Sequence, residues 1–286
     1  MMRLGVFAKT YVRPSVEETF QAAARDGFTC VQFNLVCAGL ATLPNDPVPE
    51  TMTRKIRRAA ELNGIQIAAV SGTFNMAHPA ASFRRDGLRR LGNLISWAGG
   101  SGVPVVTLCS GSRDPVDMWR EHRESSSPQA WNDFVDTLTP ALAAAEAVGV
   151  TLAIEPEPAN VVNGAPAARR LLDQLHSAHL KLILDPANLA DGNSPASDWQ
   201  LLAESVDLLA VDTVLVHAKD RLVNGPVCPA GQGVVDFSRF LRRLHLAGFN
   251  GPLVVHGIGE SEIPTAVSHL RAVLGAIAPE SSHAIS

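Results

Sequence analysis

The chain has 286 residues, 46% of them hydrophobic, enough for one large core, and its length by itself leaves one domain or two open. A formal net charge of -4 supplies no broad basic field for a polyanion, which weighs against nucleic acid as a partner. No apolar run approaches the roughly 18 residues of a membrane span, and the N-terminal "MMRLGVFAKT" lacks the pattern of a signal peptide. The basic stretches "TRKIRRAA" (53–60) and "FRRDGLRR" (83–90) read as solvated helix faces. The cysteines are scattered, and Cys30 and Cys109 read as small buried hydrophobes. The expectation is a soluble, cytoplasmic protein with no membrane partner.

In chain order, a β-rich run at 3–7 is followed by a helical pattern over 15–27, where Ser15 and Glu18 have capping-box spacing. Further strand-like runs occupy 30–34, 65–71 and 104–110. A helix over 130–149 stops at Gly149, and runs at 150–155, 180–185 and 212–217 follow. A last helix over 236–249, with Gly248 near its end, leads into a run at 252–256. Several runs are almost continuously apolar, as parallel strands covered on both faces are. Eight strand-helix alternations predict a single-domain (β/α)8 TIM barrel over 1–278, with a frayed tail over 279–286. A doubly wound sheet would want a Gly-rich turn after the first strand, and "FAKTYVRP" has none.

In such a barrel the chemistry sits at the C-terminal strand ends. The last four runs end on Glu155, Asp185, His217 and His256, each about one βα unit from the next. Taken singly, these read equally well as a turn carboxylate, a helix cap or a core histidine. Taken together, two carboxylates and two imidazoles around one rim suit a divalent metal. Lys9, Asn34, Ser71, Asn75, His78 and Arg113 fall near the other strand ends, where hydroxyls, amides and a guanidinium suit a polyhydroxylated or phosphorylated ligand. Capping and loop contacts are the plainer reading of each. Trp119 and His122 fall in a loop that would close over the site.

The segments "IEPEPAN", "LDPANL", "VHAKD" with "GQGVVDF", and "GPLVVHG" resemble motifs of the xylose isomerase-like TIM-barrel superfamily, and the similarity runs nearly the length of the chain. The resemblance implies a metal-dependent isomerase or epimerase of a small sugar, sugar phosphate or keto-polyol, acting by α-proton abstraction and a metal-stabilised enediolate. It implies a ligand set of Glu, Asp, His and Glu on strands five to eight. Glu155, Asp185 and His217 match that set, while His256 stands where the second glutamate belongs. Glu155 is then the expected base, and His256 a ligand, a proton carrier or both. Glu157 and Glu260 are reserves for the missing carboxylate. Lys219 and Asn188 are further candidates for substrate contact, and Asp220 for supporting His217. An imidazole in place of a carboxylate favours Mn2+, Co2+, Fe2+ or Zn2+ over Mg2+.

Three other functions share this reading of the residues. A lyase of the inosose-dehydratase type would use the same site. A barrel that binds a sugar without catalysis would keep the fold alone. An apurinic endonuclease of the superfamily needs more histidines, but Asn188 lies three residues past Asp185 and "CPAGQG" falls where an Asp-x-His is expected. Relatives of this kind often pair through surface helices, so a homo-oligomer stays open.

Overall fold

Strands this apolar cannot leave an edge or a face in water; closing the sheet on itself removes the edges and buries the inner face, and helices must cover the outer one. The computed structural model describes residues 2–190, 192, 194–223 and 225–277. The expected tail, 279–286, lies outside the described residues. Seven strands come in order: β1 (Arg3–Phe7), β2 (Cys30–Phe33), β3 (Gln66–Ser71), β4 (Val105–Cys109), β5 (Thr151–Glu155), β6 (Leu180–Leu184) and β7 (Thr213–Ala218). Next come β8 (Asp220–Arg221) and β9 (Val227–Cys228), an antiparallel pair outside the barrel. β10 (Pro252–Val255) then pairs in parallel with both β7 and β1 and closes an eight-stranded barrel. The predicted runs agree with these strands to within a residue at each end.

Nine helices are found among the described residues: α1 (Val16–Arg25), α2 (Glu50–Leu62), α3 (Ala81–Ser101), α4 (Pro128–Ala147), α5 (Ala165–Leu175), the one-turn α6 (Pro186–Leu189), α7 (Pro195–Leu209), α8 (Phe237–Leu246) and α9 (Ile263–Ile277). Their buried faces form the outer core against the strands. Helix ends follow the sequence signals. Ser15 accepts from the Glu18 N–H at 3.3 Å, although the Glu18 carboxylate turns to the Ser15 hydroxyl. Gly149 (φ 71°) and Gly248 (φ 91°) supply the left-handed turn just beyond α4 and α8. No helix of the described residues is long and apolar enough to cross a membrane.

Strand alternation sets the interior. Ala69, Val105, Ala153, Ile183, Leu215 and Val254 form a separate buried cluster inside the barrel, packed by Phe7. Two residues further along each strand the same inward face carries Ser71, Thr107, Glu155, Asp185, His217 and His256. The barrel is therefore apolar at its waist and polar at its C-terminal mouth.

Candidate functional site

Asp185 follows β6 directly and is fully buried; its Oδ1 caps α6 by accepting from the Ala187 N–H at 3.0 Å. Its Oδ2 faces the Lys219 ammonium at 2.7 Å. Lys219 also donates to Asn188 Oδ1 at 2.8 Å, and Asn188 Nδ2 donates to Glu155 Oε1 at 3.0 Å. His217 Nδ1 stands 3.1 Å from Glu155 Oε1 and 3.8 Å from Asp185 Oδ2. On its other side, His217 Nε2 meets Gln32 Oε1 at 2.8 Å.

Gln32 braces His217 from behind. Its amide nitrogen reaches Ser71 Oγ at 3.1 Å and Thr107 Oγ1 at 3.2 Å, which leaves its oxygen turned to the imidazole. With the Nε2 hydrogen directed at Gln32, Nδ1 points at the two carboxylates, where a proton or a metal ion joins them. Lone pairs gathered in this way repel unless a proton or a metal ion lies among them. His256 adds a second open nitrogen. Its ring is stacked on His217 (centroids 4.3 Å apart) and on Phe7 (5.0 Å), and its Nδ1 has no hydrogen-bond partner. Ligand atoms of Asp185, His217 and His256 lie within 4.8 Å of one another, and those of Cys109, Glu155 and Glu157 form a second such group. The donor set and its orphaned nitrogens fit a divalent cation held by Asp185, His217 and His256, with Glu155 beside them.

Protonation follows from burial and neighbours. Burial alone would raise Glu155, but His217 and Lys219 outweigh it and hold its carboxyl far below the usual range. Burial and the Glu155 charge push Glu157 up to about 8. Burial, opposed by Lys219, brings Asp185 to about 6. Desolvation works against the Lys219 ammonium, yet Asp185, Glu155 and Glu157 raise its pKa above normal. Burial and the adjacent His217 hold His256 down to about 3, so its ring is neutral across the physiological range.

A cavity of about 460 Å³ opens on this wall from the barrel mouth. Of the residues expected at the site, Lys9, Asn34, Ser71, Glu155, Glu157, Lys219 and His256 line it, while Asp185, His217 and Asn188 are held behind its surface through the contacts above. The remaining four sit elsewhere. Arg113 pairs with Asp133 at 2.7 Å, beside Arg84 at 2.9 Å, and anchors the loop after β4. Asn75 binds the backbone of that loop at Ser112 and Asp114. His78 stacks on Phe83 and contacts the Pro115 carbonyl oxygen. Glu260 is taken by Arg13 at 2.5 Å. Each has a nearer backbone or charge partner than the cavity.

Asp220 also departs from expectation. It does not touch His217 but accepts four backbone N–H groups, from Arg221, Gly231, Gly233 and Val235. Phe7, Thr107 and Cys109 line the cavity without having been singled out; counting strand parity back from the end residues would have found them. Trp119 lines the mouth, half-exposed, as the loop reading expected, whereas His122 caps the short turn after it. A separate hollow of about 410 Å³ at the opposite end of the barrel offers only Arg57 and Glu61 as charged groups.

Fold and site together define a (β/α)8 barrel with a carboxylate-imidazole centre at its C-terminal mouth. The family model of the xylose isomerase-like TIM barrel matches residues 20–274, and the chain belongs to that family. Among solved structures it is similar to an L-ribulose 3-epimerase (17% identity, 97% of this chain and 96% of that one, TM-score 0.76). It is also similar to a probable 3-DHS dehydratase from Bacillus anthracis (14%, 94% and 99%, TM-score 0.71). A third is a xylose isomerase-like TIM-barrel protein from Mycobacterium smegmatis in complex with magnesium (12%, 96% and 96%, TM-score 0.70). At these identities the likeness is one of fold. A search of curated protein sequences returns no match.

Proposed function

We propose that this protein is an isomerase or epimerase of a small sugar, sugar phosphate or keto-polyol, assisted by a divalent cation. The observation that carries the reading is the wall of the 460 Å³ cavity: an ionised Glu155 beside Glu157, with the open nitrogens of His217 and His256 and the Asp185 carboxylate around them. Asp185, His217, His256 and Glu155 would hold the cation, which supplies a Lewis acid for a carbonyl and an adjacent hydroxyl. Glu155 accepts the proton from the carbon next to the carbonyl. Glu157, lining the same cavity in the same ligand group, is the second proton carrier, a role that a neutral, stacked His256 fills poorly. Asn34, Ser71 and Lys9 offer hydroxyl-binding groups toward the mouth. A pocket of this size suits one small polyol.

Likeness to the epimerase supports this reading, and likeness to the dehydratase supports a second one that starts with the same proton abstraction and ends in loss of water. One experiment separates them. Protein loaded with Mn2+ and incubated with a panel of ketoses and keto-polyols in D2O should incorporate deuterium next to the carbonyl and return isomeric products of unchanged mass apart from the label. Products lighter by one water would establish the dehydratase. No exchange across a broad panel would remove both.

A further inference from the structure

Lys219 is the group in the site that the proposed chemistry leaves without a task. It is 8% exposed, and its ammonium is wedged between Asp185 Oδ2 at 2.7 Å and Asn188 Oδ1 at 2.8 Å. Its stem runs along Gly257. Gly257, at φ +78°, passes so close that a Cβ there would meet Lys219 Cδ at 3.1 Å. The oxygen it occupies is the one that Asp185 has free for a metal, because Oδ1 is committed to the cap of α6.

We propose that Lys219 is the resident counter-cation of the centre and competes with the divalent ion for Asp185. This rests on the metal-binding reading above and adds a constraint to it. Two positive groups cannot share one buried carboxylate oxygen without strong repulsion. Metal uptake therefore requires the ammonium to leave Asp185 Oδ2. Glu157 is the receiving group, an acid on the wall that Lys219 also lines, which releases its proton as the ammonium arrives. The exchange keeps the charge of the wall nearly balanced in both states, so the centre folds without metal and binds it more weakly than its ligands would allow. Lys219 is in this sense a positioning residue for Asp185 and a brake on metal affinity.

The test is direct titration of metal-stripped protein with Mn2+ and with Zn2+ by calorimetry, for the wild type and for Lys219→Met, Lys219→Gln and Lys219→Arg. Lys219→Gln keeps a donor for Asp185 and serves where Lys219→Met does not fold. The Met and Gln variants should bind at least about tenfold tighter than the wild type, since each removes a unit charge beside the ion. Lys219→Arg should bind no tighter than the wild type. Unchanged or weaker binding by a folded Lys219→Gln would overturn the proposal while leaving the metal reading in place, as would equal tightening by Lys219→Arg. Tight binding by Lys219→Gln alone, with none by the wild type, supports the brake in its strongest form. Absence of binding in every protein overturns both readings together.

Discussion

Asp185 and Asp220 are two fully buried carboxylates at the same end of the barrel, and they have opposite surroundings. Asp220 is saturated: Oδ1 accepts from Arg221 and Val235, and Oδ2 from Gly231 and Gly233, all between 2.9 and 3.0 Å. Asp185 has one oxygen engaged by a backbone N–H, while the other faces a side-chain cation beside two open imidazole nitrogens. A carboxylate that the backbone has used up can only hold structure. One whose second oxygen faces mobile charge retains capacity to bind. Between these two acids, the number of backbone donors separates scaffold from site.

The strongest way to break that contrast is to remove the saturated carboxylate. Asp220→Ala leaves four N–H groups buried without an acceptor and should cost about 3–5 kcal/mol, a fall of roughly 10 °C in Tm. The loop from β8 to α8 should then exchange its amide hydrogens readily, and a Tm within a few degrees of wild type would show that these bonds are not what holds it. Gly233→Ala attacks the same cradle from outside. A Cβ there would lie 2.2 Å from the Arg221 carbonyl oxygen and 2.3 Å from Asp220 Oδ1, so the loop must move. The expected loss is about 2 kcal/mol by urea unfolding.

This contrast also explains what could be read in advance. The barrel was legible because its strands are covered on both faces and their apolar runs are nearly unbroken, and the closing pair β10–β1 follows once eight such runs are counted. Glu155, Asp185, His217 and His256 were legible as strand ends, and the structure brings them together, Glu155 and His256 on the cavity wall with Asp185 and His217 just behind it. Arg113, His78 and Asn75 were not separable from site residues, because the partners that claim them are backbone groups and an Asp133 far away in sequence. Asp220 sits three residues beyond His217, on the outward parity, where its contacts depend on how "GQGVV" folds back. Gln32 shows the converse. Its residue type says little, yet it holds the His217 ring in place from the side away from the carboxylates.

Asp185→Asn tests the other member of the pair. Burial pushes the Asp185 pKa up to about 6, so its anion costs folding free energy at pH 7 rather than contributing it. The variant keeps the Oδ1 cap on Ala187 but turns an amide nitrogen toward the Lys219 ammonium, and should cost about 1–3 kcal/mol, less than Asp220→Ala. Its affinity for Mn2+ should fall by about 10–100-fold in the same calorimetric titration. A large Tm loss with unchanged metal binding would place Asp185 with Asp220 and dissolve the distinction.

Asp212 sharpens the comparison with a third kind of acid, one satisfied by side chains. It lies at the N-terminal end of β7, 19% exposed at its side chain, with Lys181 Nζ at 2.6 Å and Arg169 Nη1 at 2.9 Å. Partial burial works to raise its pKa, but the bonds from Lys181 and Arg169 prevail and hold it below the ordinary 3.8. A depressed folded value means that the stabilisation is present above about pH 4 and is lost as pH falls through the folded pKa. With partial solvent screening the pair is worth about 1 kcal/mol. Asp212→Asn should therefore unfold at lower urea than the wild type at pH 7, and the gap should narrow steadily as the pH drops below 4. A gap that stayed constant down to pH 2.5 would mean that the loss comes from packing, and that Asp212 belongs with the saturated Asp220 rather than with groups held by charge.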